Sequence, residues 1–530
     1  MLRVAAAHGR RRTVSTCWRR GAFSRHLSSH PSLAAGDPAH VPETVPATKL
    51  VDFEGRLLVL GLGSIGMGTL PLLLKHIGMS ASQVIVFTGD DRADEAAQVE
   101  AAYPGLCTKL GWVTEDNYNE TLEAATGGMA KGDFLLNLSV DVASCSLLEW
   151  CAERGVNYVD TVVEPWLGRY TDPNLTPAER TNYAMREEAI ALKKRLGPSS
   201  ATAVITHGAN PGMVNHFVKR ALLNIREKQT GTALVTPSTR EGWAELARTV
   251  GVRAIHISER DTQVQGVPKK VGEFVNTWSI DGFIGEGCQP AELGWGTHEK
   301  QLPPKGRRHE AGSRAAIYIE RPGASTRVRT WTPSEGPFHG WLITHNESMS
   351  ISDFLTLPAG SGYEATYRPT VHYAYHPCDD AVLSLHEFAG KNWELQPNKK
   401  LIVEEIVSGI DELGVLLMGT DAQGEHFAYW YGSQLEIEQA RRLVEFNSAT
   451  SLQVTAAAMA ATVWAMRNPS CGILEPEEVP HDEILDVMAP YIAPVIGEYT
   501  EWTPLDGREE LFAEDVDRED PWQFKNIIVE

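Results

Sequence analysis

Residues 56–66 read RLLVLGLGSIG, a short apolar run that is followed at once by a glycine-rich turn. An apolar strand that ends in Gly-x-Gly-x-x-Gly and leads into a helix is the pattern of a dinucleotide-binding turn. Its glycines permit a tight turn, close approach of a pyrophosphate, and close packing of helix on strand, while the first helical amides stabilise phosphate charge. The residues predicted to hold a nicotinamide dinucleotide here are Gly61, Gly63, Ser64, Ile65 and Gly66.

Apolar runs and helical stretches alternate after this turn. The predicted strands cover residues 56–60, 83–87, 133–138, 156–163 and 201–205. Helices are predicted up to residue 76 and over residues 94–102, 144–154 and 183–195. Strands that alternate with helices at this spacing predict an α/β fold with a Rossmann-type, doubly wound parallel sheet over residues 50–207.

The pattern loosens between residues 208 and 445, where β-like runs such as residues 314–320, 325–331 and 340–345 dominate. We expect a second, α+β domain there, which binds substrate and forms the dimer. The alanine-rich segment 451–467 is apolar on most faces and predicts a buried helix that completes the first domain. Residues 468–530 form a C-terminal extension.

The end of the second predicted strand departs from the usual dinucleotide pattern. An acidic residue is expected there to hold the adenosine ribose, but the position holds Thr88. Asp90 and Asp91 follow in the loop and are the predicted ribose ligands. No arginine stands at the strand end, although Arg92 is close, so NAD is favoured over NADP.

The bulk properties describe an acidic globular enzyme. The chain has 530 residues and a net charge of −21, and it contains no apolar run long enough to span a membrane. An acidic surface repels nucleic acids and anionic membranes and attracts cations, so neither of those partners is expected. The seven cysteines are scattered without a Cys-x-x-Cys motif, which favours reduced thiols.

The first 36 residues differ from the rest of the chain. They contain seven arginines and five serines but no acidic residue. This composition is typical of an organelle transit peptide, and prolines follow in a linker, so residues 1–40 are predicted to be leader and linker. Import into mitochondria is expected. A plastid, or a disordered basic tail on a cytoplasmic protein, is the alternative.

Beyond the leader, the chain resembles the bacterial-type homospermidine synthases of the saccharopine dehydrogenase-like superfamily. The stretches that carry the resemblance are GSIG (63–66), NLSVD (137–141), DTVVEPWLG (160–168), GANPGM (208–213), IHISERDTQ (255–263), VNTWS (275–279), PAELGWGT (290–297), THNES (344–348) and HYAYHP (372–377). The resemblance implies that bound NAD oxidises putrescine to an imine, that a second putrescine displaces ammonia, and that the same NADH reduces the new imine to homospermidine. It further implies that spermidine also serves as donor and that the enzyme is a homodimer.

A diamine site needs carboxylates for the ammonium groups, an aromatic face for a cation and a proton acceptor, with water excluded. The resemblance assigns Trp278 as the aromatic face, Glu286 as an amine ligand and Asn210 as a substrate contact. Without it, Trp278 is one of 14 tryptophans and the Asn-Pro-Gly at residue 210 is also a good turn. His345 is a candidate proton shuttle, although a core histidine is the alternative.

Three more carboxylates are predicted to bind substrate. Glu259 is either an amine ligand or the ion-pair partner of Arg260. Glu164 and Asp141 each follow a predicted sheet strand, where open α/β sheets place ligands, and Asp141 serves either the nicotinamide ribose or the amine. Two residues near the same strand ends complete the predicted cofactor site, Ser139 and Thr161.

Two alternatives to the synthase remain at this stage. A reductive aminase of the saccharopine or carboxyspermidine dehydrogenase type would bind substrate carboxylates with arginines, and Arg260 and Arg327 are the exceptions to an otherwise acidic motif set. A catalytically inactive NAD-binding protein is the other. A metal is not expected, because Pro377 argues against a helix that would align His372 with His376.

Overall fold

The computed structural model describes residues 41–233, 235–360 and 364–529. The predicted leader and linker, residues 1–40, lie outside the described residues. Among the described helices, none is both long and apolar enough to cross a membrane.

The glycine-rich stretch begins a parallel sheet, as predicted. The first part of the chain forms strands β1 (Val51–Asp52), β2 (Leu57–Leu60), β3 (Ile77–Gly78), β4 (Val84–Thr88), β5 (Cys107–Leu110), β6 (Phe134–Asn137), β7 (Asn157–Asp160) and β8 (Ala203–Val204). Its helices are α1 (Ser64–His76), α2 (Ala93–Ala102), α3 (Tyr118–Thr126), α4 (Ser144–Arg154) and α5 (Asn182–Leu196). All four residues of β2 are buried, which is why the strand is apolar on both faces.

The second part contains many more strands. They are β9 (Val252–Asp261), β10 (Val264–Gln265), β11 (Glu273–Asn276), β12 (Pro290–Gly294), β13 (Gly306–Arg308), β14 (Ala316–Pro322), β15 (Arg327–Thr332), β16 (Gly336–Trp341), β17 (Leu357–Pro358), β18 (Ala365–Tyr367), β19 (Thr370–His376), β20 (Asn398–Leu401), β21 (Ile406–Ser408), β22 (Ile410–Thr420), β23 (His426–Glu436), β24 (Ile473–Leu474), β25 (Val495–Thr500) and β26 (Ile528–Val529). The helices are α6 (Met213–Thr230), α7 (Arg240–Val250), α8 (Ile280–Cys288), α9 (Asn346–Phe354), α10 (Asp379–Gly390), α11 (Ile437–Leu443), α12 (Ala449–Arg467), α13 (His481–Ile492) and α14 (Phe524–Ile527).

Two large sheets organise the molecule. The first has the order β24-β8-β7-β6-β2-β4-β5 and is parallel throughout, which confirms the doubly wound prediction. The second is a mixed sheet of eleven strands, with the path β13-β14-β12-β19-β9-β22-β23-β25 and with β15, β16 and β26 beside it. In this sheet β9 lies between β19, which is parallel to it, and β22, which is antiparallel.

Some predicted strands are shorter than expected. The run at residues 156–163 is a strand only to Asp160, and the run at 340–345 leaves β16 at Trp341. Strand β5 and helix α3 were not predicted, and neither were α6 and α7 in the region whose pattern looked β-like.

Helix α12 confirms the buried helix that was predicted from its alanine-rich sequence. Most of its residues are buried, and it packs against α1, α13 and β7. The chain beyond it returns to both sheets, because β24 pairs with β8 while β25 and β26 pair with strands of the mixed sheet.

Candidate active site

The glycine turn has the space that a dinucleotide phosphate requires. Gly61 has φ +100°, and a Cβ there would lie 2.7 Å from the backbone of Leu138. A Cβ at Gly66 would lie 2.3 Å from the carbonyl oxygen of Gly61, so both positions need glycine for the turn itself. Gly63, in contrast, faces open space, since no atom of the described residues lies within 4 Å of a built Cβ. The first turn of α1 carries no acidic residue, so its free amides suit an anion.

Thr88 supports the turn from the end of β4. Its hydroxyl accepts a hydrogen bond from the Leu62 amide at 3.2 Å, and the residue is buried. This leaves the ribose position to the next loop, where Asp90 and Asp91 are both exposed. Arg92 lies 3.7 Å from Asp91, so the cation nearest this loop is already paired with a carboxylate.

Ser139 and Thr161 follow two central strands of the same sheet, β6 and β7. The Ser139 hydroxyl donates to Asn137 Oδ1 at 2.6 Å, which fixes the chain as it leaves β6. Thr161 lies next to Gly208, where a built Cβ would meet the Thr161 side chain at 3.4 Å. Both residues are half-buried near the carboxyl edge of the sheet, which is the edge where the predicted cofactor residues meet.

Trp278 lies at the start of a hydrogen-bonded aromatic series. Its indole Nε1 donates to the Tyr375 hydroxyl at 3.0 Å, and its ring packs against Phe283. Tyr375 stacks on Tyr373 with ring centroids 5.3 Å apart, and Tyr373 donates to Glu259 at 2.5 Å. The indole itself is half-buried, so one part of it remains open to a ligand.

Glu259 is buried in β9 and has polar partners of its own. Besides Tyr373, the Asn210 amide donates to it at 3.1 Å. Burial, reinforced by nearby Asp261, raises the pKa of Glu259 to about 8. The predicted alternative, an ion pair with Arg260, is wrong, because alternation along the strand turns Arg260 to the other face, where Glu335 and Asp379 lie 3.5 and 3.4 Å from it.

His345 lies between two carboxylates. Its Nε2 is 3.0 Å from Glu286 and its Nδ1 is 3.2 Å from Glu347. Burial alone would lower the pKa of His345, but the two glutamates outweigh it and raise that pKa well above the usual value. The imidazole also packs on Tyr373, with centroids 4.3 Å apart, so the histidine joins the Trp278 series instead of filling an apolar core.

Glu164 and Asp141 extend the acidic set. The Tyr170 hydroxyl donates to Glu164 at 3.2 Å, and burial, with the charges of Asp141 and Glu286, raises the pKa of Glu164 to about 8. Burial followed by the charge of Asp281 raises the pKa of Asp141, which has φ +60°. Asp141 and Glu164 are therefore close enough for the charge of Asp141 to raise the pKa of Glu164.

A cavity borders part of this acidic set. It has a volume of about 850 Å³, and residues 163–169, Thr171 and Asp172 line it together with Cys145 and Glu188. Glu164 borders this cavity, but Trp278, Glu259 and His345 do not. Among these residues, the cavity is therefore open to Glu164 and not to the Trp278 series.

Hydrogen bonds and ring contacts connect five of the predicted substrate-site residues, Trp278, Glu259, Asn210, His345 and Glu286. Glu164 is related to Asp141 and Glu286 through their charges. The structure also adds four residues that were not predicted, namely Tyr170, Glu347, Tyr373 and Tyr375. Both central tyrosines were visible in the HYAYHP stretch, but only strand pairing places Tyr375 opposite Glu259. His372 and His376 lie on strand β19, and among the described residues no group of three or more His, Cys, Asp or Glu side chains is arranged so that it could hold a metal ion.

Comparison with known proteins shows the family of both parts of the chain. Residues 57–204 match the family described as saccharopine dehydrogenase NADP binding domain, and residues 208–499 match the saccharopine dehydrogenase C-terminal domain. Homospermidine synthases of Blastochloris viridis and Mesorhizobium japonicum are each 50% identical to the chain, over 90% of it and over 98% and 97% of their own lengths.

A solved structure adds a third relative. The homospermidine synthase of Legionella pneumophila, determined in complex with NAD, is 45% identical and superposes with a TM-score of 0.80. The match covers 90% of this chain and 98% of the Legionella chain. The chain therefore belongs to the homospermidine synthase family.

Proposed function

We propose that the chain is an NAD-dependent enzyme that transfers an aminobutyl group between polyamines and forms homospermidine from two putrescines, with spermidine as a second donor. The observation that carries this proposal is the connected set of Glu259, Glu286 and Glu164 around the Trp278 series. Among the described residues, none of these carboxylates pairs with lysine or arginine. Glu286 pairs with His345, and Glu259 and Glu164 accept only neutral donors, so this acidic set retains negative charge for the ammonium groups of a dication.

The same geometry disfavours a reductive aminase that acts on amino acids. Such an enzyme would need arginines to hold the substrate carboxylates. Arg260 contacts Glu335 and Asp379 on the far face of the sheet, and Arg327 lies over the ring of Trp341 at 4.3 Å. Arg260 and Arg327, the two arginines in the otherwise acidic motif set, thus already have other partners.

The glycine turn, Ser139, Thr161 and the Asp90–Asp91 loop would hold NAD. When bound, the nucleotide supplies reversible hydride acceptance. The two acidic side chains of the loop favour NAD over NADP, because they would repel a phosphate on the ribose.

The protein's own groups orient the diamine and handle its protons. Glu286 and Glu164 bind one ammonium group, while the Trp278 face binds the cationic imine that forms along the way. Glu259, held by Tyr373 and Asn210, accepts a proton from the reacting amine, because its raised pKa lets it titrate near neutral pH. The protonated His345 keeps Glu286 in place. Burial of this network excludes water, which would hydrolyse an imine.

One incubation tests the proposal. Purified protein is mixed with putrescine and a catalytic amount of NAD, and homospermidine and ammonia are measured. We expect both products in equal amounts, with no net NADH. Conversion of the supplied NAD to NADH without homospermidine would contradict the synthase activity.

Replacing Trp278 by alanine should lower kcat/KM for putrescine by about 30-fold, since a desolvated cation–π contact contributes about 2 kcal/mol. The phenylalanine variant keeps an aromatic face but loses the donor to Tyr375, so we expect an intermediate value. Steady-state kinetics with both variants, and their Tm values, provide the check. Equal activity of alanine and wild-type proteins would remove Trp278 from the site.

Binding of putrescine should tighten by about tenfold or more as pH rises from about 6 to about 8. Glu164 and Glu259 both have pKa values raised to about 8, so they are largely protonated at the lower pH and gain the charge that a dication needs as pH rises. The amines, like lysine, stay protonated throughout. Calorimetric titration measures the effect, and Glu164→Gln should flatten it. A wild-type affinity that is independent of pH would refute this assignment.

The location and assembly are further proposals. The arginine-rich, acid-free leader supports import into mitochondria, with a plastid or the cytoplasm as alternatives. A homodimer is proposed from the family resemblance. Fluorescent fusions of the full chain and light scattering of the purified protein test the two points.

A further inference from the structure

A buried aspartate lies beneath the Trp278 series. Asp411 on β22 is completely buried, and within the described part of the chain neither of its carboxyl oxygens has a hydrogen bond of normal geometry, although Thr450 and Glu259 lie beside it. A carboxyl group without such hydrogen bonds in the interior is costly, whether charged or neutral, and therefore calls for a functional or structural reason.

Asp411 lies in a cluster of three buried carboxyl groups, here called the carboxyl triad, which comprises Glu259, Asp261 and Asp411. The register of the mixed sheet brings the three groups together. Asp411 on β22 lies opposite Asp261 on β9, and Glu259 precedes Asp261 by two residues on the same face. Asp261 is well bonded, accepting from the Gln263 amide at 2.8 Å and from Thr277 at 2.7 Å. Thr450 of α12 faces Asp411.

The surroundings of the carboxyl triad contain little positive charge. Arg260 points to the other face of the sheet, and His345 reaches the triad across Tyr373 and is already held by two glutamates. Three buried carboxyl groups whose charges raise the pKa values of Glu259 and Asp411 cannot all be ionised, so the triad holds at least one proton. The ionisable groups that face the triad are Tyr373, Tyr375, Cys378 and His345, while the charge of Arg260 acts on Asp261 from the other face of the sheet.

The proposed reaction removes a proton and a hydride from the substrate and returns both in its last step. A protonated amine, R–CH2–NH3+, becomes the iminium R–CH=NH2+ when its carbon loses a hydride and its nitrogen loses a proton. Exchange with a second protonated amine then gives R–CH=NHR'+ and ammonium, with no net proton. Reduction returns the hydride to carbon, and the nitrogen takes up a proton to give R–CH2–NH2R'+. One proton is thus removed early and needed again at the end.

We propose that the carboxyl triad stores this proton between the two steps. Glu259 takes it from the amine, and Asp411, which lies beside Glu259, shares it until the secondary amine needs it. Asp411 is therefore a positioning and proton-storing residue that does not touch substrate. The inference rests on the proposed function. In it, the carboxyl triad holds the proton while the nucleotide holds the hydride.

The test counts protons during a single turnover. NAD-loaded full-length protein is mixed rapidly with putrescine in weakly buffered solution that contains a pH indicator, and nucleotide absorbance is followed in parallel. We expect the wild-type protein to form NADH transiently without releasing a proton. Asp411→Asn keeps the shape but removes the storage group, so it should release about one proton per nucleotide reduced and lose kcat roughly 10- to 100-fold. Its KM and Tm should change little.

A matched control removes a different buried carboxyl group. Glu477 is buried and bonds to Ser350 and Asn215, away from the triad, so Glu477→Gln should behave like the wild-type protein in the proton count. Release of one proton per NADH by the wild-type protein would overturn the storage proposal. Failure of putrescine to reduce any nucleotide would instead refute the proposed function.

A second measurement needs no nucleotide. Infrared difference spectra of the nucleotide-free protein between about pH 6 and about pH 9 should show the C=O band of a buried carboxylic acid being lost as Glu259, with its pKa of about 8, titrates with its neighbours. Asp411→Asn should shift or remove the part of this band that titrates with Glu259. Glu477→Gln should leave that part and remove only its own contribution, because burial raises the pKa of Glu477 to about 7. Identical spectra for wild type and Asp411→Asn would show that Asp411 shares no proton and would overturn the proposal.

Discussion

Replacing Glu286 by glutamine is expected to lower kcat/KM for putrescine by about 100-fold, or about 2.7 kcal/mol. Glutamine keeps the shape of the side chain but removes the negative charge that His345 faces at 3.0 Å. The buried imidazolium then retains Glu347 alone, its pKa falls towards the usual value, and the amine loses a carboxylate ligand. Truncating one member of a buried charge pair typically costs 2–5 kcal/mol, which brackets this estimate.

Asp281 supplies the matched control for this change. It lies on the same helix α8, but its side chain is 54% exposed and pairs with Lys399 at the surface. Exposed ion pairs contribute little, so Asp281→Asn should alter kcat/KM by less than about threefold. Comparable losses in the two variants would mean that general acidity of the helix, and not the Glu286–His345 contact, determines activity.

The fold was largely predictable because its signals are local. The apolar run at Leu57–Leu60 predicts a strand, and the glycines directly after it predict a turn. Strand β5 carries no such signal, since its sequence CTKL lies half-buried to exposed at a sheet edge. Helices α6 and α7 were missed because the glycines, prolines and tryptophans around them hid their periodicity.

The candidate site was predictable only in part, because its contacts join distant parts of the chain. Glu259 and Tyr373 are 114 positions apart and meet only when β9 pairs with β19. Whether Glu259 binds Arg260 could not be decided until the strand assigned them to opposite faces. Asp411 shows the limit most clearly, since nothing in its neighbourhood in the sequence distinguishes it from a surface aspartate.

Gly63→Ala is expected to weaken NAD binding by about 100-fold while leaving the fold intact. Gly63 has φ −75°, which alanine adopts without strain, and its Cβ would enter open space. That space is where the pyrophosphate must approach the backbone, so the methyl group obstructs the cofactor and nothing else. Calorimetric titration with NAD and thermal unfolding measure the two effects separately.

Two other glycines make the Gly63 prediction specific. Gly66→Ala would bring a Cβ to 2.3 Å from the Gly61 carbonyl, so it should lower Tm as well as NAD affinity. Gly390→Ala, at the end of α10, meets no atom within 4 Å and lies far along the chain from the turn, so both quantities should stay at wild-type values. If Gly63→Ala bound NAD as tightly as the wild type, the phosphate could not lie against this backbone, and the glycine turn would serve packing alone.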